Sequence, residues 1–276
     1  MKKAVDELKK NPVTPEVYPK YGTTATLNMT SEVGIFPIRN WQEAYSKETA
    51  SLLSEPLRDR FNFEDLPCSP GCPVRCTKLN LARERKWEGA FSEGPEYETI
   101  YSLEPCCGIF DPAFVIQVDN LCDDYGLDTI STGVTIAFAM ECFEKGIFTR
   151  EETGGAEFRF GYEEPIVQLI RKIANRSGFG KSLALGVREV AKRIGIGTEH
   201  FALHVKGMEI GGFDPRGARG MALVYADGPR GRCHHAGGYT VIDELMDSNV
   251  NRFPEKGKAR LAFNIRNKIR GDMRLC

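Results

Sequence analysis

The stretch "DTISTGVTIAFAMECFEKGIF", residues 128–148, decides the fold class of this chain. Its apolar side chains recur at helical spacing: Ile130, Val134, Phe138 and Cys142. That spacing places them on one face of a helix, where the cysteine is a small residue of the core. Asp128 or Ser131 can cap the helix at its start, and Gly146 can close it. The stretch therefore predicts a helix packed in a protein core.

Helical patterns continue on both sides of this stretch. The segment "DPAFVIQVDNLCDDYGLD", residues 111–128, runs into it directly. Residues 163–178 form an amphipathic pattern with Pro165 in the first turn and Gly178 as its stop, and a further helix is predicted over 181–197. Because short β-branched runs are scarce, the sequence predicts a mainly α protein.

The two ends of the chain differ from this helical middle. Up to residue 78, proline and glycine recur too often for long regular elements, and one helix is predicted over 41–55, "WQEAYSKETASLLSE". A glycine-dense segment begins at residue 204 and opens a second unit. The sequence therefore predicts a helical domain over 1–203 and a second, partial helical domain over 204–276.

Composition excludes several classes of protein. The chain is 41% hydrophobic and 27% charged, with a formal net charge of −1. This balance gives no electrostatic reason to expect nucleic acid or an anionic membrane as partner. No run of about 18 apolar residues is present, and the charged start "MKKAVDELKKNP" is unlike a signal peptide. We therefore expect a cytoplasmic protein without a membrane partner.

The segment "LPCSPGCPVRCTKLN", residues 66–80, places Cys68, Cys72 and Cys76 four residues apart. The prolines and the glycine between them interrupt a helix and favour a loop. Zinc normally uses two separated pairs of ligands, whereas three close thiolates and a distant fourth are typical of a [4Fe–4S] cluster. Structural zinc and free buried thiols remain alternatives. Spacing alone does not choose the fourth ligand.

Five segments together resemble the tungsten- or molybdenum-dependent aldehyde ferredoxin oxidoreductase family: "GCPVRC", "GPEYET", "CDDYGLDTISTG", "VKGMEIGGFDPRGARGMALVYA" and "GPRGRCHH". They occur in the family's order and at about its spacings. Family members have an N-terminal β domain followed by two mainly helical domains. The resemblance implies that residues 1–203, with the ligand loop at 66–80, are the middle domain. It also implies that residues 204–276 are part of the last domain and that the β domain is absent.

The resemblance implies a [4Fe–4S] cluster with four ligands: Cys68, Cys72, Cys76 and Cys276. The first two thiols are one residue further apart than is usual in the family. Cys276 follows Cys76 by 200 residues, which is about the family's separation. The family closes this ligand in an Asp-x-x-Gly-Leu-Cys motif. Here the motif reads "GDMRLC", with Gly271 and Arg274 in place of the acid and the glycine.

A tungstopterin or molybdopterin is the second cofactor that the resemblance implies. The matching contact positions are Asp123, Leu127, Asp128, Arg230 and Leu275. A glycine between two carboxylates at a helix junction exposes acceptors and a helix start to a ligand. The same pattern also fits a helix that ends at glycine before an Asp cap. An arginine suits the cofactor because it stays charged and forks around anionic oxygens.

Two further positions match the family's active-site residues. Glu98, or alternatively Glu96, matches the acid, and a carboxylate near the metal can act as a general base. His234 matches the histidine beside the metal, where an imidazole can donate a proton or orient the substrate. His235 is adjacent and easily mistaken for it.

The resemblance implies oxidation of an aldehyde to a carboxylic acid, with electrons leaving through the cluster to ferredoxin. The chain alone is expected to be inactive, because a missing N-terminal domain or subunit covers one side of the pterin. The alternative is a non-catalytic iron–sulfur-binding or structural protein. The stretch "QVDN", residues 117–120, has no histidine where the family's dimers bind a shared iron. We therefore expect that a homodimer, if one forms, has no bridging iron.

Overall fold

A computed structural model describes residues 2–10, 13–83, 85–195 and 197–267. The helices are α1 (Lys2–Lys10), α2 (Tyr18–Tyr21), α3 (Ala25–Glu32), α4 (Ser54–Phe61), α5 (Tyr97–Leu103), α6 (Pro112–Tyr125), α7 (Thr129–Glu144), α8 (Glu163–Ala174), α9 (Gly178–Leu183), α10 (Val187–Ile194), α11 (Arg219–Asp227), α12 (His234–Gly237), α13 (Thr240–Met246) and α14 (Lys258–Asn267). The strands are β1 (Asn62–Leu66), β2 (Thr77–Leu81), β3 (Phe91–Glu93), β4 (His204–Val205) and β5 (Met208–Glu209). The prediction of a mainly α protein is confirmed. None of the described helices is long and apolar enough to cross a membrane.

Two small antiparallel sheets accompany the helices. The first has the strand order β1-β2-β3, and β4 pairs with β5 in a short hairpin. Leu66 pairs with Thr77, so the loop between them, residues 67–76, holds the three clustered cysteines at one end of the first sheet. The β4–β5 hairpin contacts α7. The division of the chain at residue 204 stays a prediction.

Helices α6 and α7 form where the sequence predicts them, and their ends follow capping rules. The Asp111 side chain accepts a hydrogen bond from Ala113 N at 3.0 Å and caps α6. Gly126 ends that helix in the left-handed conformation, with φ of 64°. The Asp128 side chain then accepts a hydrogen bond from Ser131 N at 2.7 Å and caps α7. The sharp turn between the two helices therefore depends on one glycine and one aspartate.

Helix α5 crosses α7 at very close range, at a glycine. A Cβ atom on Gly133 would lie 2.3 Å from the carbonyl oxygen of Ser102, which is a backbone atom and cannot swing away. The two buried helices touch here without an intervening side chain. This crossing fixes the position of α5, the helix that carries Glu98.

Replacing Gly133 with alanine is expected to destabilise the protein by about 3 kcal/mol, because the added methyl group forces α5 and α7 apart. Urea unfolding followed by circular dichroism measures the change. The control is Ser131→Ala on the same helix, where we expect a change within about 0.5 kcal/mol. A Gly133→Ala variant as stable as that control would show that the two helices are not in this contact.

The helix predicted over 41–55 is wrong. Residues 39–41 have left-handed φ angles of 49°, 48° and 68°, which do not continue into a right-handed helix. The Trp41 indole is held there because its Nε1 donates to the Tyr101 hydroxyl at 2.6 Å. A short 3-10 segment over Lys47–Leu52 and then α4 replace the predicted helix. Tertiary contacts therefore override the local pattern.

Two boundaries after residue 160 also differ from prediction. Helix α8 ends at Ala174, and Gly178 begins α9 rather than stopping the preceding helix. The last predicted helix is interrupted at Gly186, whose φ is 77°. The carboxylate of Glu209, from β5, accepts a hydrogen bond from Val187 N at 2.9 Å and so supplies a cap for α10. A cap from a residue 22 positions away cannot be predicted from the local sequence pattern.

Candidate functional site

The clustered cysteines lie on the β1–β2 loop, as the prolines and glycine predicted. Cys68 is exposed, whereas Cys72 and Cys76 are half-buried. Left-handed residues turn the loop between them: Gly71 has φ of 79° and Arg75 has φ of 50°. The loop also carries a backbone hydrogen bond of 3.1 Å from Cys72 N to Ser69 O. All three sulfur atoms therefore belong to one tightly turned segment.

The surroundings of two of these thiols differ. Hydrogen bonds from the backbone N–H groups of Arg75 and Val74 lower the pKa of Cys72. Burial, and then the charge of Glu96, raise the pKa of Cys76. Amide donors aimed at a sulfur atom favour the thiolate, the form that binds metal. The charges of Cys68 and Cys72 also raise the pKa of Cys76, after burial and Glu96.

The donor set of this loop fits an iron–sulfur ligand loop, although it does not form a closed cage. Within the ranges that the structure describes, no group of three or more His, Cys, Asp or Glu side chains is arranged to hold a metal ion. The predicted fourth ligand, Cys276, and the predicted pterin contact, Leu275, lie outside the described residues. The ligand set therefore stays a prediction.

A buried lysine ties the cysteine loop to the N-terminal segment. Lys78 Nζ donates to Pro19 O at 2.8 Å and to Arg75 O at 3.3 Å, and it lies 3.3 Å from Asp65 Oδ1. Gly22 lies so close that a Cβ atom there would be 2.6 Å from the carbonyl oxygen of Cys76. The loop is thus supported by chain that precedes it by about fifty residues.

A second group of functional side chains forms where α5 meets α12. His234 Nδ1 lies 3.3 Å from Glu98 Oε1, and 7% and 14% of the two side chains are exposed. Neither of these two atoms makes a hydrogen bond. The structure thus brings together the two predicted active-site residues, which are 136 positions apart in the sequence.

Burial shifts the pKa values of these two groups in opposite directions. The pKa of Glu98 rises to about 7, chiefly through burial, against smaller lowering effects of the Gly212 amide and of Arg232. The pKa of His234 falls to about 3 through burial and then through the charges of His235 and Arg232. At neutral pH the pair therefore combines a neutral imidazole with a carboxyl group near its midpoint.

The glycine-rich segment 210–213 holds both groups. Gly212 N donates to Glu98 Oε2 at 2.7 Å, and the Tyr97 hydroxyl donates to Gly212 O at 2.6 Å. The Phe213 ring stacks on Tyr97 with ring centroids 4.7 Å apart. It also meets the His234 ring in an edge-on arrangement, with centroids 5.8 Å apart. One segment therefore orients the acid through its backbone and the imidazole through a ring.

The two glycines of this segment are needed because there is no room for side chains. A Cβ atom on Gly211 would lie 2.7 Å from Glu98 Oε1. On Gly212 it would lie 2.6 Å from the Tyr101 ring. The backbone itself forms the wall against which the carboxylate rests.

The alternatives to Glu98 and His234 have different surroundings. Glu96 hydrogen-bonds to the hydroxyl of Thr23, and its charge acts on Cys76 of the ligand loop. His235 is exposed, although its ring centroid is only 4.3 Å from that of His234. Because Glu96 immediately precedes α5 and Glu98 lies in its first turn, that turn connects the ligand loop with the Glu98–His234 pair.

The predicted cofactor contacts are only partly gathered at this pair. Asp128 is exposed and lies 3.7 Å from Arg232 Nη2, whereas Leu127 is half-buried against the core. Asp123 is exposed, and burial and then Asp124 raise its pKa. The Arg230 side chain is exposed and donates to Cys233 Sγ at 2.8 Å.

The buried arginine at this pair is Arg232, not Arg230, the arginine that the resemblance implies. Its side chain is 7% exposed, and its charge acts on both Glu98 and His234. Tyr225, from α11, joins the same group with a buried hydroxyl. The "GPRGRCHH" segment contains two arginines, and nothing in the local pattern indicates which of them turns inward.

The chain belongs to the aldehyde ferredoxin oxidoreductase family, because the family profile described as "Aldehyde ferredoxin oxidoreductase, domains 2 & 3" matches residues 1–273. The match therefore includes the first 66 residues, which carry none of the five motifs.

Among similar proteins is the tungsten-containing aldehyde ferredoxin oxidoreductase of Pyrococcus abyssi. It is 39% identical over 237 residues, covering 85% of this chain and 38% of that protein. The enzyme of the same description from Pyrococcus furiosus is 38% identical, covering 89% and 40%. An "Aliphatic sulfonate oxidoreductase, WOR-like subunit" from Pyrococcus furiosus is 32% identical, covering 83% and 40%. The chain spans about two fifths of the length of these relatives.

A solved structure shares the fold. The active-site complex BamBC of benzoyl coenzyme A reductase, in complex with 1,5-dienoyl-CoA, matches with a TM-score of 0.62 at 23% identity. The match covers 83% of this chain and 35% of that chain. At this identity the likeness shows the fold alone.

The buried polar atoms at the Glu98–His234 pair test whether a bound group fits there. Four of them have no hydrogen-bond partner: Glu98 Oε1, His234 Nδ1, Arg232 Nε and Tyr225 OH. Buried polar groups normally have partners, so these four indicate a place where something else binds. Donors and acceptors of this kind suit an anionic, oxygen-rich group such as a metal–pterin cofactor.

Proposed function

We propose that this chain is the helical part of an oxidoreductase that converts aldehydes to carboxylic acids. The proposed cofactors are a tungsto- or molybdopterin and a [4Fe–4S] cluster that passes electrons to ferredoxin. The observation that carries the proposal is the buried Glu98–His234 pair, whose facing atoms lack hydrogen-bond partners. Family membership supports it, since several relatives are described as tungsten-containing aldehyde ferredoxin oxidoreductases.

Separate residues would hold the two cofactors. The cluster would be bound by Cys68, Cys72, Cys76 and Cys276, and the pterin by Asp123, Leu127, Asp128, Arg230 and Leu275. When bound, the metal–pterin supplies oxygen transfer and accepts two electrons, which the cluster passes on singly. The residues of this chain bind, orient and move protons around that chemistry.

Proton transfer is the role that suits Glu98. Oxidation of an aldehyde adds one oxygen from water and releases two protons with the two electrons. A carboxyl group with a pKa near 7 takes a proton and gives it up again with little free-energy difference at neutral pH. The neutral His234 imidazole, 3.3 Å away, can hydrogen-bond the substrate or carry the proton onward.

The walls of the pair keep water out during this step. Phe213 and Tyr239 pack against the imidazole, with ring centroids 5.8 and 5.1 Å from that of His234, and Tyr97 stacks on Phe213 at 4.7 Å. Exclusion of water strengthens each charge interaction in the site, and it keeps the proton on groups that can use it.

A second candidate function is cluster binding without catalysis. The ligand loop favours it, because amide donors on Cys72 and the Lys78 contacts form this loop independently of the Glu98–His234 pair. In that case the chain would carry iron and neither tungsten nor molybdenum.

Metal analysis after anaerobic purification distinguishes the two. For the catalytic function we expect about four irons per chain together with tungsten or molybdenum. Cys72→Ser should remove most of the iron, since the thiolate favoured by the amide groups is lost. Cys276→Ser should also lower the iron content.

The control for these variants is Cys142→Ala, which removes a thiol from the helical core and should leave the iron content unchanged. Iron alone would support the second function. Absence of iron, tungsten and molybdenum from the wild-type chain would refute both.

A further inference from the structure

We propose that Arg232 binds an oxyanion, a carboxylate or phosphate group, beside the Glu98–His234 pair. This proposal extends the proposed function and rests on it only for the identification of the Glu98–His234 pair as the active site. It follows from the environment of the guanidinium group.

Arg232 is buried without an adequate partner. Its side chain is 7% exposed, and Nε makes no hydrogen bond. The carboxylate of Asp128 lies 3.7 Å from Nη2, beyond hydrogen-bond distance, and 61% of that side chain is exposed. Such a long, solvated ion pair contributes little, whereas burying an arginine without a close anion is costly. The group is therefore arranged for an anion that is not part of this chain.

Other groups at the same place fit an oxyanion. The Tyr225 hydroxyl is buried and has no hydrogen-bond partner. Burial and then the charge of Glu98 raise its pKa, whereas the charge of Arg232 lowers it. Arg230 and His235 lie on the outer side, where partial burial and then the charges of Arg230 and Arg232 lower the pKa of His235. Glu98 and Asp128 oppose an anion, but Glu98 is largely neutral below pH 7.

The chemistry of arginine specifies the ligand class. Its planar fork of N–H donors matches two oxygens of a carboxylate or a phosphate. Two sources can present such a group at this site. One is a carboxylate on the substrate or the carboxylic acid product, and the other is a phosphate of the cofactor.

The test measures anion binding to the full chain, purified without cofactor, by isothermal titration at pH 6.5. The probes are propionate, inorganic phosphate and, as the neutral analogue, propionamide. We expect Arg232→Met to weaken binding of the preferred anion at least about tenfold, which corresponds to the loss of one charge-assisted hydrogen bond. Arg232→Lys should lose less, because it keeps the charge and loses only the fork.

The matched control is Arg219→Met, which removes an exposed arginine at the start of α11 and should leave anion affinity unchanged. Arg232-dependent binding of propionate assigns the subsite to a substrate or product carboxylate. Arg232-dependent binding of phosphate assigns it to the cofactor. Equal binding of propionamide, unchanged affinity in both Arg232 variants, or no anion binding at all would overturn the proposal.

The outcome is separate from that of the metal analysis. Arg232-dependent anion binding in a chain that never carries iron, tungsten or molybdenum would refute the proposed function and leave the oxyanion subsite standing. A chain that carries the metals when purified anaerobically, but binds no anion in its cofactor-free form, would support the proposed function and refute the oxyanion subsite.

Discussion

Replacing Glu98 with glutamine is expected to stabilise the folded chain by about 3 kcal/mol at pH 8 and by less than about 1 kcal/mol at pH 5. The folded pKa of Glu98 is about 7, against an ordinary value of 4.5. Between pH 4.5 and about pH 7 the folded state binds more protons than the unfolded state. The free energy of unfolding therefore falls as the pH rises through this window, and glutamine removes that loss.

Urea unfolding of wild type and Glu98→Gln at pH 5 and pH 8 measures the effect. The comparison has to be a difference, because Asp119, with its pKa also raised to about 7 by burial, contributes a slope of the same sign. His234, with its pKa lowered to about 3, loses stability as the pH falls from about 6.5. A difference that is the same at both pH values, or a less stable variant at pH 8, would contradict the expectation.

Replacing Glu244 with glutamine is expected to destabilise the chain by about 3 kcal/mol or more, whereas the same change at Glu98 stabilises it. This side chain is fully buried and forms an ion pair with Lys258, whose side chain is 6% exposed. It also accepts hydrogen bonds from Gly220 N at 2.8 Å and from Met221 N at 3.2 Å, at the start of α11. Glu244→Gln leaves a buried ammonium group without its counter-charge.

The double variant Glu244→Gln with Lys258→Met is the control, because it removes both charges. Urea unfolding at pH 7 should show that it recovers a large part of the stability lost in the single variant. A single variant as stable as wild type would show that the pair is not closed in solution. A double variant no better than the single one would assign the loss to the hydrogen bonds rather than to charge.

Together the two variants separate a functional carboxylate from a structural one. Both side chains are buried, but the partners of Glu244 are complete, whereas Oε1 of Glu98 has none. A group that lowers stability when charged is typical of a site built for a ligand or a reaction.

Helices α6 and α7 could be predicted because their information is local. Apolar periodicity, the Asp111 and Asp128 caps and Gly126 all act within a few residues of one another. The region of residues 41–55 could not be predicted, because the Trp41 indole is fixed by Tyr101, sixty residues later. The start of α10 likewise depends on Glu209.

In the candidate site, too, features set by nearby residues could be predicted and features set by packing could not. The cysteine loop was readable from its prolines and glycine, and the resemblance supplied Glu98 and His234. Arg232 was missed because orientation decides between two arginines in one short segment, and orientation comes from packing. The role of Gly212 as a backbone donor was also hidden, since a glycine-rich stretch does not reveal which amide faces a carboxylate.

The attachment of the cysteine loop to the N-terminal segment has a consequence for how the protein opens. Lys78 and Gly22 join the loop to residues 18–24, and Thr23 of that segment hydrogen-bonds to Glu96 and accepts a hydrogen bond from Tyr97 N at 2.9 Å, at the start of α5. Local unfolding of the loop and the segment is therefore coupled to the first turn of α5, which carries Glu98. An opening of this edge that admits a cluster to the thiols would therefore also loosen the turn that positions Glu98.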